Sequence, residues 1–270
     1  MADNKPRLGT QTVYPEAYDP DLLVSIPRAA GRAQLTLPEA MCGADIWTGY
    51  EVSWLEPGGK PRVAVAEFTI DCQSPYIVES KSFKLYLNSL NQQSMVNDQA
   101  VVATLEKDLA VGFGDHVAVT LYSPDAFSTL GLTGLPGECL DDQQIDCSTY
   151  EPTPEYLSVK GGELATEALY SHLLKTNCPV TGQPDWASVS IAYTGPQLDR
   201  EGLLRYLVSF RGHQGFHENC VETIFSDILQ RCRPQHLTVY ARYTRRGGLD
   251  INPWRSTESR APDFMRLSRQ

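Results

Sequence analysis

The chain has 270 residues, of which 41% are hydrophobic and 21% charged, and its formal net charge at pH 7 is −10. This length allows one large domain or two of about 130 residues each. The sequence has no run of 18 apolar residues, which predicts no membrane span, and its acidic balance argues against a surface for double-stranded nucleic acid but not against a small nucleobase-like ligand.

Three strands and one helix are predicted in the first half of the chain. Residues 46–55, 61–70 and 115–124 are rich in β-branched and aromatic residues with partial alternation, which indicates strands. The sequence EPGGKP between the first two of them is typical of a tight turn and predicts an antiparallel pair. Residues 97–112 predict a helix.

The second half of the chain repeats this order of elements. Strands are predicted over residues 186–195, 202–212 and 235–245. A helix is predicted over residues 213–232, because apolar residues recur there along one helical face.

The repeated order predicts an α+β fold of two similar units, with Glu79 in the first unit at the position of Glu218 in the second. The alternative is a chance match, because many α+β domains share this order. The predicted parts are an irregular N-terminal arm at 1–31, a first unit at 32–130, a linker rich in Asp, Gly, Pro and Thr at 131–153, and a second unit at 154–270 that ends in another irregular arm at 252–270.

The stretch NCPVTGQPDW, residues 177–186, is the leading candidate for a catalytic loop. Pro179 restricts the backbone around Cys178, and the turn that follows can bring Asp185 back towards the thiol. A carboxylate in that place can accept the thiol proton as the sulfur attacks an electrophile, and can return it later. The alternative is a surface loop with a buried structural thiol, which is the commoner role of a free cysteine.

Glu79, His217 and Glu218 are candidates for binding a planar ring. A carboxylate only accepts hydrogen bonds, and its two oxygens match the neighbouring N–H and NH₂ donors of a guanine-like ring. Two glutamates at helix starts therefore favour a shared pocket. The alternative is that these acidic residues stabilise the positive ends of their helices.

The basic stretch RYTRRGGLD, residues 242–250, combines Arg245 and Arg246 with two glycines. Guanidinium groups can bind phosphate, as can backbone N–H groups that glycine leaves accessible. The stretch is therefore a candidate phosphate-binding loop, and an exposed charged loop is the alternative.

The cysteines allow a metal site as a competing hypothesis. His217 and Cys220 are three residues apart on the predicted helix, and with Cys178 they would form a ligand set suited to zinc. The apolar position of Cys220 argues against this, and spacing alone is weak support. The seven cysteines include no CxxC pair and the N-terminus has no apolar signal segment, which together favour reduced thiols in a cytoplasmic protein.

Four motifs resemble those of one known family, in the same order along the chain. They are ESKSFKLYLNSLN (79–91), NCPVTGQPDW (177–186), GFHENC (215–220) and RRGGLDINPWRS (245–256), and they resemble the QueF nitrile reductases. The resemblance implies reduction of 7-cyano-7-deazaguanine to 7-aminomethyl-7-deazaguanine with NADPH, on the route to the tRNA nucleoside queuosine. It also implies tandem tunnelling-fold modules, each an antiparallel four-stranded sheet with helices on one face, in a homodimer that contacts neither nucleic acid nor membrane directly.

The resemblance also implies a role for each matching position. Cys178 would be the nucleophile that forms a thioimide, and Asp185 would be the proton donor. The substrate would be bound by Val78, Glu79, Ser80, His217 and Glu218, and NADPH by Ser80, Lys81, Arg246 and Gly247, with no metal site. A zinc-dependent cyclohydrolase-like enzyme and a non-catalytic purine- or pterin-binding module of the same fold type are the alternatives.

A reversible disulfide between Cys178 and Cys220 is a further expectation. Both thiols are expected near one small ligand, and a disulfide would protect Cys178 from irreversible oxidation. The alternative is that Cys220 is a packing residue that faces the sheet.

Overall fold

The computed structural model describes residues 14–15, 17–263 and 266–270, without the side chains of residues 162 and 163. These residues form a mixed α+β structure with largely antiparallel strand pairing. This confirms the predicted α+β class and the antiparallel pairing. No helix in this part of the chain combines the length and the apolar character needed to span a membrane.

The elements follow one another in two similar series. The strands are β1 (Ser25–Pro27), β2 (Cys42–Leu55), β3 (Pro61–Asp71), β4 (Tyr76–Val78), β5 (Val117–Tyr122), β6 (Glu138–Cys139), β7 (Val159–Asn177), β8 (Pro184–Leu198), β9 (His236–Tyr243) and β10 (Leu249–Ser256). The α-helices are α1 (Arg28–Arg32), α2 (Ser80–Ser89), α3 (Asp98–Phe113), α4 (Pro124–Ser128), α5 (Arg200–Ser209) and α6 (His217–Cys232). Short 3₁₀ turns lie at Pro20–Leu22, Leu90–Gln92, Pro154–Tyr156 and Phe210–Gly212.

Eight strands form one continuous sheet in the order β5-β3-β2-β10-β9-β8-β7-β6. Neighbours in it are antiparallel except for the two-residue pair of β6 with β7, and β1 pairs separately with β4. The sequence EPGGKP joins β2 to β3 with Leu55 opposite Pro61, which confirms the predicted antiparallel pair.

The long helices cover one face of this sheet. Buried apolar residues of α2 and α3 pack against β2, β3, β5 and β10, and those of α5 and α6 pack against β7, β8 and β9. Alternate residues of a strand share a face, and on β10 Leu249 and Ile251 join the first core while Arg255 bonds to α6. The two apolar cores therefore lie side by side on the same face.

Each series contains two strands, two helices and a third strand. The series β2-β3-α2-α3-β5 matches β7-β8-α5-α6-β9, and the two helices have 10 and 16 residues in both. A tyrosine hydroxyl donates to an aspartate between the two helices of each series, Tyr86 to Asp108 at 2.7 Å and Tyr206 to Asp227 at 2.6 Å. The repeat predicted from the sequence exists, but with two helices per series rather than one.

Two predictions about this repeat are wrong. The strand predicted over residues 202–212 is α5 and the 3₁₀ turn after it, because Asp199 caps the helix by accepting from Gly202 N–H and the leucines are buried with helical spacing. The pairing of Glu79 with Glu218 is also wrong. Glu79 precedes α2, the first helix of its series, whereas Glu218 lies in α6, the second helix.

The irregular arm predicted at residues 252–270 contains most of a central strand. All eight residues of β10 are buried, and the strand lies between β2 and β9. Its Arg255 is paired with Asp45 on β2 and with Glu222 on α6, both at 2.8 Å. Removing one partner of such a buried pair costs about 3–5 kcal/mol, because a charge is left without compensation. β10 therefore ties the two series together.

The N-terminal arm predicted at residues 1–31 is partly regular. β1 and most of α1 lie within it, and residues 1–13 and 16 are outside the described residues. Arg28 of α1 is buried and bonds to Asp45 at 2.5 Å, so this segment is fixed to the sheet.

Candidate active site

The loop around Cys178 is the turn between β7 and β8. Cys178 N–H donates to the carbonyl of Gln183, and Gly182 N–H donates to the carbonyl of Cys178, both at 2.9 Å. Asp185 is the second residue of β8, which pairs with the end of β7. The turn predicted from the sequence is therefore present, and it returns Asp185 to the strand that leads into Cys178.

Asn177, the last residue of β7, fixes this turn against the segment before α6. Its backbone N–H donates to the carbonyl of His213 at 2.8 Å, and its carbonyl accepts from Gly215 N–H at 3.1 Å. Its side-chain amide also donates to the carbonyls of Arg211 and Gly212. The cysteine turn and the start of α6 are thus held at a fixed separation.

A cleft opens at this junction and is lined by residues from both series. Its lining consists of Trp47, Val78, Glu79, Ser80, Cys178, Pro179, Asp185, Gly215, Phe216, His217, Glu218, Arg246 and Ile251. Eight of the ten site residues predicted from the sequence belong to this lining. The other two are Lys81, which is exposed on α2, and Gly247, which lies in the turn between β9 and β10.

Hydrogen bonds around Cys178 favour its thiolate form. Burial is the largest influence on the pKa of this thiol and raises it. The Thr181 hydroxyl, the backbone N–H groups of Val180 and Thr181, and the Arg246 guanidinium together outweigh burial, so the pKa of Cys178 is lowered from its ordinary value. A lowered pKa increases the thiolate fraction near neutral pH, and the thiolate is the nucleophilic form.

Asp185 is 3% exposed and contacts two groups that can carry positive charge. Its Oδ1 accepts from Arg246 Nη2 at 2.8 Å, and its Oδ2 lies 3.3 Å from His217 Nε2. The His217 ring stacks on Tyr243 with centroids 3.7 Å apart and an interplanar angle of 1°, which fixes its orientation. Arg246, predicted from the sequence to bind the cofactor, thus also contacts the expected proton donor.

Glu218 lies in the first turn of α6 and is 4% exposed. Burial raises the pKa of Glu218 to about 7, and Asp45 adds to the increase while His217 and Arg28 oppose it. The carboxyl group therefore changes between its neutral and charged forms near neutral pH. Only the charged form offers two oxygens that both accept hydrogen bonds.

Glu79 both caps a helix and lines the cleft. Its Oε1 accepts from Lys81 N–H at 2.9 Å, and its Oε2 accepts from Ser82 N–H at 2.8 Å, at the start of α2. Helix capping, the alternative explanation for this residue, therefore applies. Each carboxylate oxygen has more than one lone pair, so Glu79 can accept further bonds from a ligand in the cleft.

The turn between β9 and β10 brings Arg246 to the cleft. Gly247 and Gly248 have φ values of 60° and 77°, which favour glycine, and Arg246 N–H closes the turn by donating to the Leu249 carbonyl at 2.9 Å. Lys84 of α2 packs beside it, and burial and the charge of Arg246 lower the pKa of this lysine. Lys84 was not predicted as a site residue, although it belongs to the ESKSFK motif.

The structure gives no support to the alternative of a zinc site at Cys178, His217 and Cys220. Among the residues with described positions, no three or more His, Cys, Asp or Glu side chains are grouped so that they could hold a metal ion. Cys220 is fully buried, and burial raises the pKa of its thiol to about 12. Cys220 is thus a core residue, and its disulfide with Cys178 stays a prediction.

Two family profiles match the chain. The profile described as nitrile reductase, 7-cyano-7-deazaguanine-reductase N-term matches residues 14–121, and the profile described as QueF-like protein matches residues 184–262.

Curated relatives match almost the full length of the chain. Proteins named NADPH-dependent 7-cyano-7-deazaguanine reductase are 54% identical in Bordetella pertussis, with 97% of both chains covered, and 53% identical in Chromobacterium violaceum, with 97% of this chain and 96% of the relative covered. The protein of that name in Chromohalobacter salexigens is 54% identical with the same coverage as the second. A crystal structure of an archaeosine synthase described as QueF-like aligns at 18% identity over 38% of this chain and all of its own, with a TM-score of 0.32.

Proposed function

The chain belongs to the QueF nitrile reductase family, and from this premise we propose that it reduces 7-cyano-7-deazaguanine to 7-aminomethyl-7-deazaguanine with NADPH. It is an oxidoreductase that acts on a nitrile in the synthesis of queuosine. One observation carries the mechanism: Cys178, with its lowered pKa, shares a cleft with Asp185, which an arginine and a histidine contact.

Cys178 begins the reaction by covalent attack. Its sulfur forms a bond to the nitrile carbon, and one electron pair of the triple bond moves to nitrogen. The thiol proton passes to Asp185 and from there to this nitrogen, which gives a thioimide attached to Cys178. Arg246 stabilises both the thiolate and the charged form of Asp185, since it bonds to each of them.

NADPH, when bound, supplies a hydride to the carbon in each of two reductions. After the first reduction the carbon carries the sulfur of Cys178 and an amino group. Expulsion of the Cys178 thiolate leaves an imine, and the second reduction converts the imine to the amine. In this proposal Asp185 and His217 pass a proton to the nitrogen at each stage, which the distance of 3.3 Å between His217 Nε2 and the carboxylate supports.

The two glutamates hold the ring. Glu218 and Glu79 reach the cleft from opposite series, and their carboxylates accept from the ring N–H and NH₂ donors. Val78 and Ile251 provide apolar walls, and Ser80 and His217 complete the proposed contacts. Binding of the ring offsets the free-energy cost of a buried charge on Glu218, because the ring N–H and NH₂ donors replace the hydrogen bonds to water that are lost on burial.

Residues at the edge of the cleft suit a cofactor that carries phosphates. Arg246 is partly exposed, Lys81 is exposed, and the side chain of Lys84 lies beside Gly247. Gly247 has no Cβ, so a ligand can approach its backbone closely. We assign Ser80, Lys81, Arg246 and Gly247 to NADPH on this basis, and add Lys84.

The architecture that accompanies this function is also a proposal. Residues 32–130 and 154–270 would be two tunnelling-fold modules joined by the linker 131–153, and the matching series of elements support this. The protein would act as a homodimer in the cytoplasm on a small deazapurine, without direct contact to nucleic acid or membrane.

The proposal is tested by following NADPH absorbance with purified protein and the nitrile. We expect nitrile-dependent oxidation of two NADPH for each amine formed, with the amine identified by mass spectrometry. Protein incubated with the nitrile alone should gain the mass of one substrate, and should lose it on addition of NADPH. An absence of nitrile-dependent oxidation in folded protein would overturn the function.

A further inference from the structure

Trp47 is a buried hydrogen-bond donor that borders the substrate cleft. It lies on β2 with no exposed surface, and its ring packs against Phe83 and Phe113 at centroid distances of 4.9 and 5.7 Å. Its indole Nε1 has no hydrogen-bond partner among the described residues. Buried donors without a partner are rare in folded proteins, and the indole N–H can only donate. Within the described part of the chain, Trp47 therefore has an unused donor beside the cleft.

The two glutamates leave one polar atom of the ring, its carbonyl oxygen, without a partner. Glu79 and Glu218 are acceptors when charged, so they match the N–H and NH₂ groups of a guanine-like ring but not its carbonyl oxygen. Arg246 already bonds to Asp185, and Ser80 is partly exposed, so water can satisfy its hydroxyl. The ring carbonyl needs a donor, and the fully buried indole needs an acceptor.

We propose that Trp47 Nε1–H donates to the carbonyl oxygen of the deazaguanine ring and makes the site select rings with that oxygen. This inference rests on the proposed function and deepens it, because it identifies which part of the substrate is recognised. A ring with hydrogen at this position leaves the indole without an acceptor, and a ring with an amino group presents a donor to a donor. Both rings are therefore rejected.

The test compares the natural nitrile with its thiocarbonyl analogue, which keeps the ring N–H and NH₂ donors but has sulfur, a weaker acceptor, in place of the carbonyl oxygen. Wild-type protein should favour the natural nitrile by about 10- to 100-fold in kcat/KM. Trp47→Phe should lose most of this preference, to within about threefold, mainly through a weaker KM for the natural nitrile. Trp54→Phe is the matched control, because Trp54 lies on the same strand and is 2% exposed but does not line the cleft. Its preference should equal that of wild type.

A Trp47→Phe variant that keeps the wild-type preference would overturn the inference and leave Trp47 with a packing role. A variant that does not fold is replaced by a measurement on wild-type protein. The indole N–H resonance of Trp47, followed by NMR, should shift further with the amine product than with the thiocarbonyl analogue of that product. Equal shifts would also overturn the inference. Failure of wild type to reduce the nitrile would instead refute the proposed function, and the NMR comparison would still decide the role of Trp47.

Discussion

The two series have the same order of elements, but they differ in the turn between their first two strands and at the start of their long helix. The turn between β2 and β3 is closed by Glu56 N–H to the Lys60 carbonyl and by Gly59 N–H to the Glu56 carbonyl. The turn between β7 and β8 is one residue longer and is closed by a similar pair of bonds, with Cys178 in the place of Glu56. The first turn is on the surface, whereas Cys178 is buried in the cleft.

The long helices differ in the same way. Asn97 caps α3 by accepting from Ala100 N–H at 2.9 Å, whereas α6 follows Phe216, which makes no capping bond. The first turn of α6 instead carries His217 and Glu218 into the cleft. The comparison teaches that the first series has a surface turn and a capped helix at the positions where the second series has residues that line the cleft.

Replacement of the cysteine should have the largest effect. Cys178→Ala is expected to abolish reduction and the covalent adduct, because no other thiol lines the cleft. Glu56→Ala changes the corresponding position of the first turn and should leave activity unchanged, since its ion pairs are on the surface. NADPH oxidation and intact mass measure both variants. Turnover by Cys178→Ala above background would contradict covalent catalysis.

Asp185→Asn should have the second largest effect. The amide cannot carry the proton, so we expect kcat to fall by about 10²- to 10⁴-fold. Arg62 holds the corresponding second position of β3, and Arg62→Gln should keep wild-type kcat. Steady-state rates at saturating nitrile and NADPH decide this. Equal rates for wild type and Asp185→Asn would show that a group other than Asp185 transfers the proton.

The raised pKa of Glu218 predicts a dependence of stability on pH. The folded protein holds this proton more tightly than the unfolded chain, whose ordinary glutamate pKa is 4.5. The stabilisation is therefore complete below pH 4.5 and is lost as the pH rises to about 7, by on the order of 3 kcal/mol. Chemical unfolding of wild type and Glu218→Gln between pH 4.5 and 8 gives the difference. A difference that does not change with pH would refute the raised pKa.

The two cleft glutamates should differ in what their replacement affects. Glu218→Gln is expected to weaken binding of the nitrile by about 1–3 kcal/mol, because one ring donor meets an amide NH₂. Glu79→Gln should weaken binding similarly and should also lower stability by about 1 kcal/mol, since the residue caps α2. Calorimetric titration with the nitrile measures the effect on binding, and thermal unfolding measures the effect on stability. Binding of the nitrile by both variants as tightly as by wild type would exclude the proposed contacts between the two carboxylates and the ring.

Removal of the α3 cap should have the smallest effect on function. Asn97→Ala should lower the free energy of unfolding by about 1 kcal/mol and leave kcat and KM unchanged. The measurement is chemical denaturation alongside steady-state kinetics. Loss of activity at unchanged stability would show that the first series also contributes to catalysis through this helix.

Local patterns predicted several strands and the helix α6 but missed the strands β7 and β10 and the helix α5. The alternation in β2, β3, β8 and β9 and the apolar face of α6 are local signals, and those elements are present. β10 gave no such signal, because Pro253 argues against a central strand and Arg255 is charged. Its burial depends on Asp45 and Glu222, which are far away in sequence. The 19-residue strand β7 was not predicted, and the apolar density of α5 was mistaken for a strand.

The candidate site followed the same rule. Cys178, Asp185 and Glu218 lie in sequence motifs of ten residues or fewer, which can be identified without knowledge of the fold. All three residues line the cleft. The pair of Arg246 with Asp185 and the stacking of His217 on Tyr243 join separate strands and helices. Such contacts depend on which strands are neighbours in the sheet, and local sequence patterns do not predict the order of the strands.

The position of β10 has a consequence for synthesis of the chain. β2 is made early, but the partner on one of its sides is made last, and the two strands pair over eight residues. Contacts of such long sequence separation form slowly. While the ribosome makes the intervening residues, β2 offers an unpaired edge to other nascent chains, which is a route to aggregation. Loss of the last strand should therefore reduce soluble yield more than its share of the length, because it would leave that edge open permanently.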